Sequence, residues 1–560
     1  MELQKSSLVQ VERDVSRPLA DFPAGNGEDP FIISCISHMD HKAREIYKEK
    51  LCSLKEHVKE LYTATKANPV ENVEFIYTLC RLGVCYHFEK EIEEQLDKLF
   101  DSNDFHSILR DDECDLYTTG LAFQLFRQFG FKLSPDVFEK FKDGDGKFKE
   151  HLGADTKAIL SLYEAAQWST RGEDVLDDAL VFSTSRLEGL LASRYIRPHL
   201  AVRIKNVLKH SYHKGIPRLE SRQYISYYEE DEIHDETLLT FSKVDFNLVQ
   251  LLHREELAHI SRWYKDMKIK SGIPYARNRM VEAYMWAVAL NFVPRYSQAR
   301  IINAISTILV TLLDDTYDAY GTLEELDLFT DALDRWLLNA PEALPDSMKN
   351  TYRIIVDYCD RLEKELENEG MSGCSFNVKN KFKELAKSYY REAKWLNEDY
   401  VATFDEYAEN GETTSTCSLL LAATYVGVPD IDKREAFQWL SSKPKIIGAA
   451  VKIWRFMDDI VGHEMDHKRK HVKTTIDCYM KQYDVSKEKA KEEIERIISE
   501  SWKDMNQELM RPYSAPYHLL QHILNLTRAC EVTYKYHEGY TQPHHLKDCI
   551  VALFAQQIPI

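Results

Sequence analysis

The feature that most constrains this chain is a group of three carboxylates at the end of an apolar segment. Residues 308–313 are largely apolar, and the run Asp314-Asp315-Thr316-Tyr317-Asp318 follows them directly. Asp314 and Asp318 share one helix face because they are four residues apart. A solvated helix face is the ordinary explanation of an isolated acidic cluster, but apolar residues all around the preceding turns favour a buried helix. The pattern predicts a helix that ends near Gly321 and whose acidic end opens onto a cavity.

That arrangement also predicts a bound cation. The C-terminal end of a helix already carries partial negative charge, so carboxylates there are unfavourable unless cations are present. Hard divalent ions with oxygen ligands, Mg²⁺ above all, meet this need.

A second acidic motif lies downstream in a similar context. Asp458, Gly462 and Asp466 follow i, i+4, i+8 spacing and would line one helix face over two turns. Arg455 comes just before them, and residues 446–451 form an apolar lead-in. This motif is weak alone, but the pair suggests carboxylates that converge on metal ions from two sides of a pocket.

Taken together, these residues resemble the plant class I terpene synthases, most closely the angiosperm sesquiterpene synthases. The 314–318 run resembles the aspartate-rich motif of that family, and Asp458, Gly462 and Asp466 fall at its second metal motif. Further upstream, Arg277-Asn278-Arg279 resembles its arginine-x-arginine element. The resemblance extends from Arg17 to the C-terminus.

The resemblance implies specific roles in an ionisation-initiated lyase. The metal ligands would be Asp314, Asp318, Asp458 and Asp466. The residues that bind the diphosphate would be Arg277, Arg279 and Arg455. Trp286 falls at the aromatic floor position, and Tyr540 lies in a segment, Glu538-Gly539-Tyr540-Thr541, that resembles the loop closing the pocket. Residues 413–416 resemble the helix break under it.

The cofactor and substrate follow from the same resemblance. We expect Mg²⁺, in three ions and with Mn²⁺ as an alternative ion, and farnesyl diphosphate as the prenyl diphosphate substrate. The carbocation would cyclise to a sesquiterpene while diphosphate is released.

The chain departs from the family pattern at four positions. Gly462 stands where Ser or Thr is usual, and Asp466 stands where Glu is usual. Gly27 occupies the place of a Trp near the N-terminus, and Glu538 replaces Asp in the closing loop. Each departure leaves the main carboxylates in place.

We predict an all-α fold with two helical domains. Only 20 Gly and 17 Pro occur among 560 residues, which leaves room for long helices. The acidic stretch Glu229-Glu230-Asp231-Glu232 looks like a connection. We therefore place an N-terminal helical domain at residues 1–228 and a C-terminal metal-binding catalytic domain, a class I terpenoid synthase-like bundle, at residues 229–560.

Charge and composition limit the classes of binding partner and the cellular location that we expect. A formal net charge of −19 argues against nucleic acid. No apolar run reaches the length of a membrane span. The 11 Cys form no regular framework, which favours reduced thiols, and Glu2, Glu12 and Asp14 are unlike a transit peptide. We expect a cytoplasmic monomer.

Several alternatives stay open at this point. A monoterpene or diterpene synthase would share the motifs. A chain-elongating prenyltransferase would share the metal chemistry, but it should show two similar aspartate-rich motifs and no large N-terminal domain. An inactive helical scaffold, the non-enzyme alternative, is supported by the four departures alone.

Overall fold

The all-α prediction is confirmed. A computed structural model describes residue 17 and residues 22–37, 41–193, 196–368, 375–469 and 473–560. Within these residues the chain is helical, and the extended pairing is limited to one isolated antiparallel bridge between Lys142 and Phe148. Glu2, Glu12 and Asp14, on which the prediction of location depends, lie outside the described residues.

The first ten helices precede the acidic connection at residues 229–232. They are α1 (Pro30–Ser37), α2 (His41–Thr65), α3 (Pro69–Arg81), α4 (Glu89–Phe100), α5 (Asn103–Arg110), α6 (Leu116–Gln128), α7 (Thr156–Ala166), α8 (Asp174–Ala192), α9 (Pro198–Lys209) and α10 (Pro217–Glu229).

The remaining helices build the part of the molecule that contains the acidic motifs. They are α11 (Glu236–Asp266), α12 (Ile269–Gly272), α13 (Met280–Leu290), α14 (Ser297–Asp318), α15 (Leu323–Arg335), α16 (Asp346–Asn368), α17 (Ser375–Asn397), α18 (Phe404–Thr414), α19 (Cys417–Gly427), α20 (Lys433–Ser441), α21 (Lys445–Arg469), α22 (Thr475–Tyr483), α23 (Lys487–Glu508), α24 (Tyr517–Tyr534) and α25 (Lys547–Ile550). Residues 551–555 continue as a turn of π-helix.

Two large hydrophobic cores lie along this chain. One gathers buried side chains from residues 58–246, and the other gathers them from α1 and residues 216–554. The long helix α11 takes part in both, since Phe241 packs in the first core and Leu257 in the second. The domain boundary at residues 228/229 falls at the end of α10 and stays a prediction.

Helix α14 positions the first acidic motif, and its sequence explains why it can be buried. Nearly every residue from Ile302 to Leu313 is buried. Two of its buried hydroxyl groups bond within the helix, since Thr307 donates to the carbonyl of Asn303 and Thr311 to that of Thr307. The helix ends at Asp318, before Gly321 as predicted. These two bonds reduce the cost of burying polar side chains along α14.

An N-terminal segment and a C-terminal segment lie on the same side of the second group of helices. Asn26 donates its side-chain amide to the carboxylate of Glu282 at 2.9 Å and to the carbonyl of Pro543 at 2.7 Å. Lys547 pairs with Asp29 at 2.8 Å. The segment of residues 22–29 therefore lies against the segment that follows α24.

Candidate active site

A cavity of about 290 Å³ lies between the helices of the second core. Its volume is close to the lower limit for small-molecule sites. Its walls come from α13, α14, α17, α18, α19, α21 and α24 and from the segment after α24. The structure brings all the candidate site residues except Arg279 to its lining: Arg277, Trp286, Asp314, Asp318, Arg455, Asp458, Asp466 and Tyr540.

The first acidic motif divides between the cavity and the protein interior. Asp314 and Asp318 line the cavity from the end of α14. Asp315 is fully buried, accepts a hydrogen bond from the backbone N–H of Arg277 at 2.6 Å, and lies 2.8 Å from its Nε. Burial raises the pKa of Asp315 to about 7, although Arg277 acts to lower it. Sequence reasoning missed the role of Asp315. Helix geometry carried the signal, because each residue along a helix is rotated by about 100° from the one before it, so Asp315 faces a different direction from Asp314.

Arg277 connects this motif to the closing segment. Its Nη2 donates to Asp314, and its Nη1 donates to the Thr541 hydroxyl at 3.0 Å. Its guanidinium lies 4.6 Å from the ring centroid of Phe22. Burial disfavours its charge, but Asp315 and Asp314 raise its pKa. Arg277 therefore stays a buried cation at the rim of the cavity.

Arg279 lies behind the closing segment. It is 2 % exposed and donates to two backbone carbonyls of that segment, from Nε to Tyr540 at 2.7 Å and from Nη2 to Thr541 at 2.9 Å, and to the carbonyl of Asn278 at 3.2 Å. In this structure Arg279 holds the loop, and its contact with a diphosphate stays a prediction.

The second acidic motif faces the cavity from α21. Asp458, Gly462 and Asp466 all line it, as their spacing predicts. Arg455 donates from Nη2 to Asp458 and to Asp459, at 2.6 Å each. Asp459 is buried and also accepts the backbone N–H of Thr475 at 2.9 Å. Asp459, like Asp315, anchors an arginine, although Asp459 itself lines the cavity, and sequence reasoning missed it too.

Burial and neighbouring carboxylates disfavour the ionised form of Asp458 on the α21 wall. Burial raises the pKa of Asp458 well above its usual value, Arg455 opposes the rise, and Glu538 and Asp466 add to it. Burial also raises the pKa of Glu538, whose carboxylate accepts the backbone N–H of Thr541 at 2.8 Å. Carboxylate oxygens on two facing helices are the ligands that Mg²⁺ prefers. The residues present therefore fit divalent magnesium.

Aromatic rings also line the cavity. Trp286 is buried, with its ring centroid 4.9 Å from that of Trp454, 6.1 Å from Tyr534 and 6.2 Å from Tyr540. Tyr540 is fixed by a 2.7 Å hydrogen bond between its hydroxyl and that of Thr311. Within the described residues the indole Nε1 of Trp286 has no hydrogen-bond partner. This wall offers ring faces and little polarity.

A helix break lies at the edge of the cavity where the sequence predicts one. Thr416 separates α18 from α19 with φ of +61°, in the left-handed region. Thr414, Ser415 and Thr416 all line the cavity. Within the described part of the chain, the buried hydroxyl of Thr414 has no hydrogen-bond partner. Polar groups are thus available beside an otherwise aromatic surface.

One of the four departures, Gly27, is accommodated by a local contact. Gly27 packs beside α13, where an added Cβ would lie 3.1 Å from the side chain of Val281.

Arg17 forms a bidentate ion pair with Glu325, at 2.7 and 2.8 Å, and donates to the carbonyl of Tyr320 at 2.9 Å. The N-terminal segment therefore contacts the start of α15 near the first acidic motif.

Sequence comparisons place both parts of the chain in one family. The family model described as terpene synthase, N-terminal domain, matches residues 28–208, and the model described as terpene synthase family, metal binding domain, matches residues 265–504. The alpha-humulene/(-)-(E)-beta-caryophyllene synthase of Arabidopsis thaliana is 56% identical over 98% of this chain and 100% of its own length. The hedycaryol synthase of Camellia brevistyla is 41% identical over 100% of this chain and 99% of its own.

Solved structures agree with these matches. Isoprene synthase from grey poplar leaves, in complex with three Mg²⁺ ions and dimethylallyl-S-thiolodiphosphate, superposes with a TM-score of 0.85 at 33% identity, over 92% of this chain and 98% of its own. Limonene synthase with 2-fluorolinalyl diphosphate gives a TM-score of 0.89 at 27% identity, over 97% and 100%. In addition, no helix among the described residues is long and apolar enough to span a membrane.

Proposed function

Because this chain belongs to the terpene synthase family, we propose that it is a sesquiterpene synthase, a lyase that ionises farnesyl diphosphate and cyclises the carbocation. The observation that carries the proposal is the cavity itself. Carboxylates from α14 and α21 line it together with the rings of Trp286 and Tyr540. Relatives named as humulene/caryophyllene and hedycaryol synthases support a sesquiterpene product.

Binding of the substrate begins with its charged end. Mg²⁺ held by Asp314, Asp318, Asp458 and Asp466 would neutralise the diphosphate and polarise the allylic carbon–oxygen bond. Arg277 and Arg455 line the same cavity and present guanidinium groups that bind phosphate oxygens by charge-assisted hydrogen bonds. Asp315 and Asp459 hold these arginines in place.

The aromatic side chains of the cavity stabilise the carbocation and exclude water. A ring face contributes about 0.5–2 kcal/mol to the stability of a nearby cation. Trp286 and Tyr540 present such faces, and the closing segment of Tyr540 is held by both Arg277 and Arg279. A cation formed under this segment would be protected from solvent while the ring closes.

The finer features of the enzyme are part of the proposal. We expect three Mg²⁺ ions, supported by the isoprene synthase complex, with Mn²⁺ able to replace them. We also expect a cytoplasmic monomer with the N-terminal domain at residues 1–228 as a structural partner.

The test is product analysis with purified protein and Mg²⁺. Farnesyl, geranyl and geranylgeranyl diphosphate are supplied separately, and volatile products and released diphosphate are measured. We expect cyclic sesquiterpenes from farnesyl diphosphate, at the highest kcat/KM of the three. A requirement for isopentenyl diphosphate would indicate chain elongation instead, and absence of turnover with every substrate would indicate a scaffold.

A further inference from the structure

A cluster of two histidines and one carboxylate lies outside the cavity, where α21 meets α22. His463 and His467 are four residues apart on α21, and Asp477 lies in the first turn of α22. One potential ligand atom from each residue lies within 4.8 Å of the other two. The catalytic proposal assigns no role to any of the three.

The cluster occupies a different face of α21 from the second acidic motif. Gly462 and Asp466 line the cavity, whereas His463 and His467, the next residue in each case, do not. One residue turns a helix by about 100°, which accounts for the separation. The histidines therefore lie behind the cavity wall.

The spacing of the donor atoms suits a small metal ion. His467 Nε2 lies 3.0 Å from each oxygen of Asp477, and His463 Nδ1 lies 3.8 Å from Oδ2. Metal–ligand distances of about 2.0–2.1 Å in a tetrahedral site place ligand atoms roughly 3.3 Å apart. The observed distances lie on both sides of that value.

The donor types select a different metal from the one in the cavity. Imidazole nitrogen suits Zn²⁺, Cu²⁺, Fe²⁺ and Ni²⁺, whereas Mg²⁺ prefers oxygen. His467 is 43 % exposed, while His463 and Asp477 are mostly buried at 7 % and 16 %. The exposed ring gives an entry route, and solvent could fill the fourth coordination position.

Hydrogen bonding at the start of α22 accounts for only part of this cluster. Asp477 accepts the backbone N–H of Thr474 at 2.9 Å and its hydroxyl at 3.1 Å, as a helix cap does. His463 Nδ1 is 2.7 Å from the same hydroxyl. A carboxylate has about four lone-pair sites, so capping leaves Asp477 able to bind a cation. The cap itself does not require His467.

We propose that His463, His467 and Asp477 form a second metal site, which takes a transition-metal dication of the Zn²⁺ class and is separate from the Mg²⁺ site. A bound ion would join α21 to α22 directly behind Asp466. The proposal does not depend on the identity of the terpene product.

The test is a titration of the chelator-treated full-length protein with Co²⁺ in excess Mg²⁺, without substrate. We expect one equivalent to bind with the visible absorption of four-coordinate Co²⁺ and to be displaced by Zn²⁺. His467→Gln should weaken binding by about 100-fold or more, since even an outer-shell partner is worth 10–100-fold. Asp477→Asn, which keeps an oxygen to cap α22, should also weaken it.

The matched control is His544→Gln. His544 belongs to an exposed group of histidine rings with His537 and His545, so it reports adventitious binding to surface imidazoles. It should leave the one-equivalent site unchanged. The proposal is overturned if no saturable site is found, if Mg²⁺ displaces Co²⁺, if His467→Gln retains the affinity, or if His544→Gln removes it. Product formation is a separate measurement, so failure here leaves the proposed function intact.

Discussion

The carboxylate of Asp466 lies over the backbone of Gly462, with its Oδ2 3.0 Å from the position that a Cβ at residue 462 would occupy. A side chain at residue 462 would therefore meet this oxygen at a distance shorter than ordinary van der Waals contact. The two departures from the family pattern on α21 are linked for this reason. The missing side chain makes room for the shorter carboxylate to fold back onto the helix.

The first prediction concerns this pair. Gly462→Ser adds a hydroxyl ligand to the second metal motif and should lower the Mg²⁺ concentration that gives half-maximal rate. Gly462→Ala adds the same Cβ without the hydroxyl, so it measures the effect of displacing Asp466 alone. Both replace a poor helix former, and neither should reduce the melting temperature.

The measurement is a Mg²⁺ titration of the three proteins at saturating farnesyl diphosphate. We expect a shift of roughly 10-fold for Ser, the lower limit for a partner at a metal site, and no decrease for Ala. A higher Mg²⁺ requirement in both folded variants would mean that Gly462 serves close packing.

The second prediction concerns the first acidic motif. Asp314→Ala and Asp318→Ala should each reduce turnover by roughly 100-fold or more, because each removes a proposed metal ligand. Helical circular dichroism should be unchanged, since both side chains face the cavity. Asp331→Ala, at an exposed position on α15 that pairs with Arg335, is the matched control and should keep full activity. Equal activity in all three variants would contradict the ligand assignment.

The third prediction concerns the aromatic wall. Trp286→Leu keeps an apolar surface but removes the ring face, and should slow turnover by about 2- to 30-fold, as a cation–ring contribution of 0.5–2 kcal/mol implies. The product mixture should also change. Trp286→Phe retains a ring and should lose less, while the Mg²⁺ requirement stays constant in both. If Leu and Phe behave alike in rate and products, the indole serves packing only.

The fourth prediction concerns pH and lies in the N-terminal part of the chain. Burial raises the pKa of Glu220 to about 8 from its ordinary value of 4.5, although Arg81 opposes the rise. The folded state therefore binds more protons than the unfolded state between these values. The contribution of Glu220 to stability is largest below about pH 4.5 and falls as the pH rises towards 8.

Glu220→Gln removes this titration. At pH 8 the variant should be more stable than the wild type by on the order of 1 kcal/mol, since one pKa unit corresponds to about 1.36 kcal/mol. The difference should shrink towards pH 5. Melting temperatures from pH 5 to 8 provide the test, with Glu71→Gln, on the exposed side of α3, as the control. A difference that stays constant over this range would rule out the titration of Glu220 as the cause.

The sequence predicts the helices and the metal motifs because both depend on local spacing. The i, i+4 pair in α14 and the i, i+4, i+8 series in α21 are set by helix geometry, so their convergence on one cavity could be anticipated from two buried helices. The family resemblance, and not the spacing, predicts the helix break at residues 413–416. The left-handed backbone of Thr416 is visible in the structure alone.

The parts of the site that depend on distant partners could not be predicted in this way. Asp315 and Asp459 look like further members of acidic runs, and their role as anchors of Arg277 and Arg455 emerges from burial. Arg279 matches the family motif, yet its position behind Tyr540 depends on contacts with residues about 260 positions away. Spacing specifies which face of a helix a residue occupies, but not which loop covers that face.

The contact between Asn26 and Pro543 joins segments that are synthesised at very different times. The two residues are 517 positions apart, so a ribosome adding about 5–20 residues per second requires roughly 25–100 s to make the second after the first. Both acidic motifs leave the ribosome before residue 543 exists. The nascent chain therefore carries both acidic motifs before it can form the contact between Asn26 and Pro543.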